Sequence, residues 1–310
     1  MIEAKTYSVR TVSQAMTAVL HDLVNLNPRP EAKGVFNEIL GAQIVLRDPR
    51  FSLPYSTSRK FNYSYMLAES IWNLTNTRET EVLRRYNASI DKFVSDQDGD
   101  ISYAKWSYGT QLNDQVKFCL EELKREPLSR RAAAALYTNA DRGPGTPPCL
   151  VSVHFQCRPQ GSGLGLYQTI TMRSNDAWLG LPLDMFQFSL WGHLMAAELG
   201  IPFVQYIHHA STLHLYERDL GAAKLWLQGN HGDGMIRTQL DFGSKALSQV
   251  LDGSTYGLIK SKTLPRAIHT GAESLVSFML GDYSTALPAL VQIKLDGHGL
   301  SWPSPERHAS

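Results

Sequence analysis

The spacing of apolar positions changes several times along the chain, and each change predicts an element. Residues 11–25, TVSQAMTAVLHDLVN, repeat their apolar positions at helical spacing. Residues 27–34, NPRPEAKG, are bounded by proline and predict a loop. FNEILGAQIVLRD (36–48) predicts a strand, and FNYSYMLAESIWNLTN (61–76) a helix that buries Trp72 and Leu74. TRETEVLRRYNASIDKFV (77–94) predicts a second helix, and DQVKFCLEELKREP (114–127) an amphipathic one that Pro127 ends. RRAAAALY (130–137) suits helix or strand by composition, and NADRGPGTPP (139–148) must be loop. CLVSVHFQC (149–157), LGLYQTITMR (164–173) and IPFVQYIHHAST (201–212) predict strands. Between the last two, Met185–Leu199 is apolar on every side, as a core helix is. Beyond about Glu217 the pattern weakens, and LQGNHGDGM and SPERHAS read as loop or tail. No internal repeat interrupts this order, so an α+β chain of mostly one domain over 1–310 is expected.

Composition narrows the classes of function. With 310 residues and 43% hydrophobic content, the chain can bury a sizeable core. A net charge of +1 gives no global case for a nucleic-acid or membrane partner. No apolar run approaches the about 18 residues of a membrane span, and MIEAKTYSVR lacks a signal-peptide core. Three cysteines, Cys119, Cys149 and Cys157, make a poor disulfide framework, and ten histidines show no zinc spacing. A reduced, cytoplasmic protein without a metal is the expectation.

Several residues have both a chemical and a plain reading. Cys149 follows GTPP where loop enters strand, so its sulfur is either presented to a cleft as a nucleophile or buried as a small apolar group. Cys119 and Cys157 fall at core positions. Arg29, Arg130, Arg131 and Arg173 stand at segment boundaries, where a guanidinium fork suits phosphate or simply meets water. Ser174 adds a hydroxyl beside Arg173. Glu69 lies inside an apolar helix and is a candidate general acid/base or one half of a salt bridge. His214 and Tyr216 alternate in LHLY, so on a strand both face one side, ready for a sugar hydroxyl or for packing. Asp184, after an apolar Leu-Gly-Leu-Pro-Leu run, suits a helix N-cap or something more specific.

Taken in order, the motifs NPRP, ESIWNLTN, YGTQL, SRR, PPCL, MRSNDAWLGLPLD and HLY resemble the thymidylate synthase family, which includes the cytidylate hydroxymethylases. The likeness covers roughly Asn27 to Tyr216, leaving 217–310 divergent. It implies a large mixed β-sheet that forms the dimer face and is covered by helices. It also implies 5,10-methylenetetrahydrofolate as co-substrate and a pyrimidine nucleoside monophosphate as substrate. By the same resemblance Cys149 is the nucleophile toward C6 and Glu69 orders water and relays protons. Tyr108 helps to remove the C5 proton, and Asp176 lies at the folate and nucleotide cleft. Arg29, Arg173 and Ser174 bind phosphate. Arg130 and Arg131 reach the neighbouring site of a homodimer, and His214 with Tyr216 holds the sugar hydroxyl.

Three departures from the synthases set the expected reaction. Where they carry Asn to read a uracil edge, this chain has Asp184, which suits cytosine in either state: a protonated carboxyl donates to N3 and accepts from the 4-amino group, and an ionised one favours a cytosine protonated at N3. Leu150 replaces the usual His after the cysteine. The tryptophans expected between Glu69 and Tyr108 are replaced around SIDKFVSD (89–96), and the C-terminal tail differs, which implies a wetter site. A folate-dependent 5-hydroxymethylation of dCMP or CMP is therefore expected. The rivals are a thymidylate synthase acting on dUMP and a non-catalytic nucleotide- or RNA-binding relative.

Overall fold

The computed structural model describes residues 4–31, 34–54, 56, 59, 61–74, 78–91, 107–137, 147–229, 238–241 and 292–295. Its frame is a mixed sheet in the order β1-β3-β8-β6-β5-β4, with β2 on β3 and β7 on β8. The strands are β1 (Thr6–Val9), β2 (Arg29–Glu31), β3 (Gly34–Leu46), β4 (Ala133–Ala135), β5 (Leu150–Gln160), β6 (Gly163–Met172), β7 (Asn175–Asp176) and β8 (Phe203–Tyr216). β3 and β8 run antiparallel, from Phe36 opposite Tyr216 to Leu46 opposite Tyr206. β6 and β7 are both parallel to β8 and share its other edge, separated by Arg173 and Ser174. A separate pair, β9 (Thr238–Asp241) and β10 (Gln292–Leu295), is antiparallel.

The helices are α1 (Val12–Val24), α2 (Tyr63–Leu74), α3 (Glu81–Tyr86), α4 (Tyr108–Arg125), α5 (Gly180–Leu199) and α6 (Glu217–Gln228). α1 starts as its sequence dictates: the Thr11 hydroxyl caps the backbone N–H of Gln14 at 3.1 Å. α5 is buried on almost every side and packs against α1, α2, α4, β6 and β8. Its close approach to the sheet needs Gly192, where an added Cβ would lie 2.3 Å from the Phe203 ring and 2.5 Å from Gln168. Gly200, at φ 68°, ends the helix in the left-handed conformation. No helix among the described residues is long and apolar enough to cross a membrane.

The α+β mixture is as expected, and several boundaries are corrected. Arg29–Glu31 forms a strand on β3 where a loop was expected, because the backbone there pairs with Gly34–Phe36. The ambiguous 130–137 stretch is strand at Ala133–Ala135, paired with β5. The second helix is shorter than 77–94: α3 stops at Tyr86, Asn87 is extended, and a 3-10 turn follows at Ala88–Ile90. Residues 92–106, with most of SIDKFVSD, lie outside the described residues. α4 begins at Tyr108, and β8 runs on to Tyr216. α5 starts at Gly180, because Pro182 is tolerated in a first turn. Past Glu217, α6 packs on α1, with the Trp226 indole donating to Thr17 at 3.0 Å.

Candidate active site

Cys149 sits immediately before β5, beside an irregularity where the β5–β6 register shifts between Leu150 and Ser152. Such bulges re-aim a strand-end side chain. The gap between β6 and β7 turns Arg173 toward this cysteine. Its Nε donates to the Pro148 carbonyl at 2.8 Å and one terminal nitrogen to the Pro147 carbonyl at 2.7 Å. That nitrogen is also 3.8 Å from the Cys149 sulfur, and the Arg173 N–H bonds the Cys149 carbonyl at 2.8 Å. Arg173 thus braces the Pro-Pro-Cys segment and puts a cation beside the thiol. Cys149 is half-buried, whereas Cys119 and Cys157 are enclosed in the core. Burial pushes the Cys119 thiol up to about 12 and raises that of Cys157, so both are inert packing groups.

Asp184 lies a full turn inside α5. The N-cap is Leu179, so Asp184 does not cap the helix. Its carboxyl is buried, and each oxygen accepts one amide N–H. Asn175 Nδ2 donates to Oδ2 at 2.6 Å and Gln187 Nε2 to Oδ1 at 2.7 Å. Burial nevertheless pushes its pKa up to about 7, against the lowering effect of those two bonds.

Two further groups converge with it. Glu69, on α2, accepts from the Tyr65 hydroxyl at 3.0 Å through Oε1. Its Oε2 is buried with no partner among the described residues. Burial first, and the Asp184 charge second, push Glu69 up to about 8. Tyr108 opens α4 and is hydrogen-bonded to the backbone of Leu150. Burial holds its phenol protonated, and the charges of Asp184, Cys149 and Glu69 reinforce this in that order. The fold therefore brings a thiol, a phenol and two poised carboxyls into electrostatic contact, with an arginine beside the thiol. Such a set can add a nucleophile, hold a proton and release it near neutrality.

The remaining sequence candidates are distributed around this group. Asp176 pairs with His214 in the β7–β8 register. Its Oδ1 accepts from the backbone of Trp178 at 2.8 Å and Leu179 at 3.0 Å, so it shapes the entry to α5. His214 and Tyr216 share one side of β8 as their alternation predicts, with ring centroids 4.9 Å apart and Phe36 packed at 5.7 Å from His214. Ser174 is half-buried in the β6–β7 gap. Arg29 opens β2 opposite Phe36. Arg130 and Arg131 are exposed just before β4, and Glu122 holds Arg131 through Nε at 2.8 Å.

Sequence reasoning missed the residues behind Asp184. Asn73 donates to Gln187 Oε1 at 2.7 Å, while His208 Nε2 and Asn175 Oδ1 are 2.9 Å apart and Tyr206 lies 2.8 Å from His208 Nδ1. A signal existed: Gln187 is one turn from Asp184 in an otherwise apolar helix, and Tyr206 and His208 alternate as His214 and Tyr216 do. Also missed was Arg59, whose guanidinium lies 4.0 Å over the Trp178 ring and 4.6 Å over Phe61 while donating to the Trp178 carbonyl at 2.8 Å.

A family model described as Thymidylate synthase matches residues 16–246, and the chain belongs to that family. The match extends on both sides of the 27–216 stretch that carries the motifs and takes in α6. The family performs folate-dependent one-carbon transfer to a nucleotide, so this chain is a methyl- or hydroxymethyltransferase with methylenetetrahydrofolate as co-substrate. The family binds nucleotides and is usually dimeric. Among the described residues, no group of three or more His, Cys, Asp or Glu is placed to hold a metal ion.

Proposed function

We propose that this protein is a cytidylate 5-hydroxymethylase, acting on dCMP or CMP through a covalent adduct to Cys149. The observation that carries the reading is the buried Asp184 carboxyl, which burial brings to about pH 7. Near neutrality a cytosine edge and such a carboxyl share one proton between N3 and oxygen, and the second oxygen accepts from the 4-amino group. An ionised carboxylate facing uracil O4 is repulsive, and a site built this way rejects the wrong edge strongly.

The Cys149 sulfur adds to C6, and the C5–C6 electron pair becomes nucleophilic at C5. The co-substrate supplies the one-carbon unit, and Asp176 at the entry to α5 is the residue assigned to hold it. Asp176 suits this because it stands at the entry to α5, where its Oδ1 is fixed by two backbone bonds. The C5 proton leaves to ordered water, with Glu69 as the acceptor beyond it and the protonated Tyr108 phenol assisting by holding that water. Glu69 suits a relay because its unpartnered Oε2 and its pKa of about 8 let it take and return a proton near neutrality. With the one-carbon unit bonded to C5, the electrons left by the C5 proton break its C–N bond and tetrahydrofolate leaves; water adds its oxygen to the resulting exocyclic methylene, the electrons return through C5, and the C6–S bond breaks to release Cys149. The sum is cytidylate, methylenetetrahydrofolate and water giving hydroxymethylcytidylate and tetrahydrofolate, with no net oxidation.

Arg29, Arg173 and Ser174 are assigned to the substrate phosphate, and His214 with Tyr216 to the sugar. Arg130 and Arg131 are assigned to the partner subunit's phosphate in a homodimer. Among sugars the deoxy series is favoured, because Arg131 and Ser174 match the family's deoxynucleotide pattern. Turnover in heavy-oxygen water tests the chemistry: the product hydroxyl should carry the label. A methylated, unlabelled product would overturn it. Replacing Cys149 with Ala should abolish turnover while nucleotide binding survives.

A further inference from the structure

We infer that Asn175 and Gln187 are positioning residues that hold the Asp184 carboxylate for the cytosine edge. The inference rests on the cytidylate reading above and adds the residues that make Asp184 specific. The Asn175 N–H meets Oδ2 at 2.6 Å and the Gln187 N–H meets Oδ1 at 2.7 Å. A carboxylate has about four lone-pair positions on two oxygens. Two donors therefore leave each oxygen one position for a ligand. An amide at 184 has one acceptor atom and would set its own NH2 against one of these donors.

Each amide also makes a second hydrogen bond behind Asp184. His208 is fully buried, and burial drives its pKa down to about 3, so it is neutral and carries one ring N–H. The buried Tyr206 hydroxyl stays protonated and lies 2.8 Å from Nδ1. With Asn175 Nδ2 donating to Asp184, its Oδ1 faces Nε2 at 2.9 Å and accepts the ring N–H, which leaves Nδ1 to accept from Tyr206. On the other arm, Asn73 donates to Gln187 Oε1 at 2.7 Å, which turns Nε2 of Gln187 toward Asp184. Both arms start from donors and end on the acid, so both favour its ionised form.

They work against everything else around it. Burial favours the neutral acid, and so does the charge of Asp176 on β7. Glu69 and Tyr65 on α2, Tyr108 on α4 and Tyr206 on β8 all feel the Asp184 charge and are raised by it. Cys149, before β5, couples to the same group through Tyr108. Without the two amides Asp184 would hold its proton to higher pH and share it less readily with N3. The amides set the pH at which the site stops recognising cytosine.

The test is equilibrium binding with folate omitted, as the ratio of dCMP to deoxyribose 5-phosphate affinity from about pH 5.5 to 8.5, with dUMP measured alongside. The ratio cancels the phosphate's own titration, which is common to both ligands. In the wild type the ratio should fall as pH passes about 7, where Asp184 loses its proton. Asn175→Leu and Gln187→Met each remove one charge-directed hydrogen bond and should move that fall upward by about one to two pH units. Asn73→Leu, one step further out, should move it in the same direction by less. Variants that melt near the wild-type temperature with the fall unmoved would overturn the inference and leave the cytidylate reading standing. A wild-type affinity for dUMP above that for dCMP throughout would overturn the reading itself.

Discussion

Asp184→Asn changes one atom in the centre of the buried network, and its consequences can be worked from the contacts. Both carboxyl oxygens accept N–H groups, at 2.6 and 2.7 Å, so an amide there sets one donor against another. The Gln187 arm yields most easily. Its amide can turn to offer Oε1 to Asn at 184, and Asn73 can turn to offer its own Oδ1, which now lacks a partner among the described residues. One orphaned acceptor is exchanged for one orphaned donor, so stability should change by only about 1 kcal/mol. In a chain of 310 residues that is a melting shift of about 2–4 °C or less.

Discrimination should change far more. Uridylate loses the O4–carboxylate repulsion, a gain of about 1–3 kcal/mol. Cytidylate meets an amide set for uracil, with two mismatched groups at about 1–3 kcal/mol each. Taking the low end of each, the cytidylate-to-uridylate ratio of kcat/KM should fall by at least about 100-fold. The assay is competitive tritium release from C5-labelled dCMP and dUMP. A folded variant that keeps the wild-type preference would refute the assignment of Asp184 as the base reader.

Other expectations follow from the same contacts. If Arg131 serves the partner's site, mixing Cys149→Ala and Arg131→Ala proteins should restore turnover that neither has alone; mixtures as inactive as their parents would place the arginine elsewhere. Glu122→Gln loosens the hold on Arg131, which Ser129 shares at 2.6 Å from the same oxygen, and should raise nucleotide KM severalfold with little loss of kcat. Stability of the ligand-free protein should fall between about pH 6.5 and 8. Asp184 and Glu69 keep their protons to about 7 and about 8 when folded, against ordinary values of 3.8 and 4.5, so the unfolded state binds fewer protons in that window. His193 and His208 are depressed to about 4 and about 3, and their opposing contribution is complete once the pH passes their ordinary value of 6.5. Urea midpoints at the two pH values check this, and Glu69→Gln should flatten the difference.

Much of the fold was legible because the core elements carry clean periods. α1, β3, β5, β6 and α5 stand near their expected places. The misplaced boundaries share a cause: pairing or packing from distant residues decided them. Arg29–Glu31 is a strand because β3 lies alongside, and Ala133–Ala135 because β5 does. Neither partner is visible in the local pattern. Of the candidate site, the sequence marks the residues that chemistry or motif singles out, and it does not mark those that hydrogen-bond to them. Glu69 was exposed by its place in an apolar helix. Asn175 was quoted in a motif and passed over, because its importance lies in a bond to a residue nine positions on and another to β8. Arg173 shows the same limit. Its expected phosphate role gave no hint that it also fastens Pro147 and Pro148.

The measurement that bears most directly on the account is tritium release by the wild-type protein with methylenetetrahydrofolate. C5-labelled dCMP, CMP and dUMP are compared, and the product mass is read alongside. The account predicts release from a cytidylate, dCMP before CMP, with a hydroxymethyl product. Release mainly from dUMP, with a methyl product, would contradict it and make Asp184 part of a divergent thymidylate synthase.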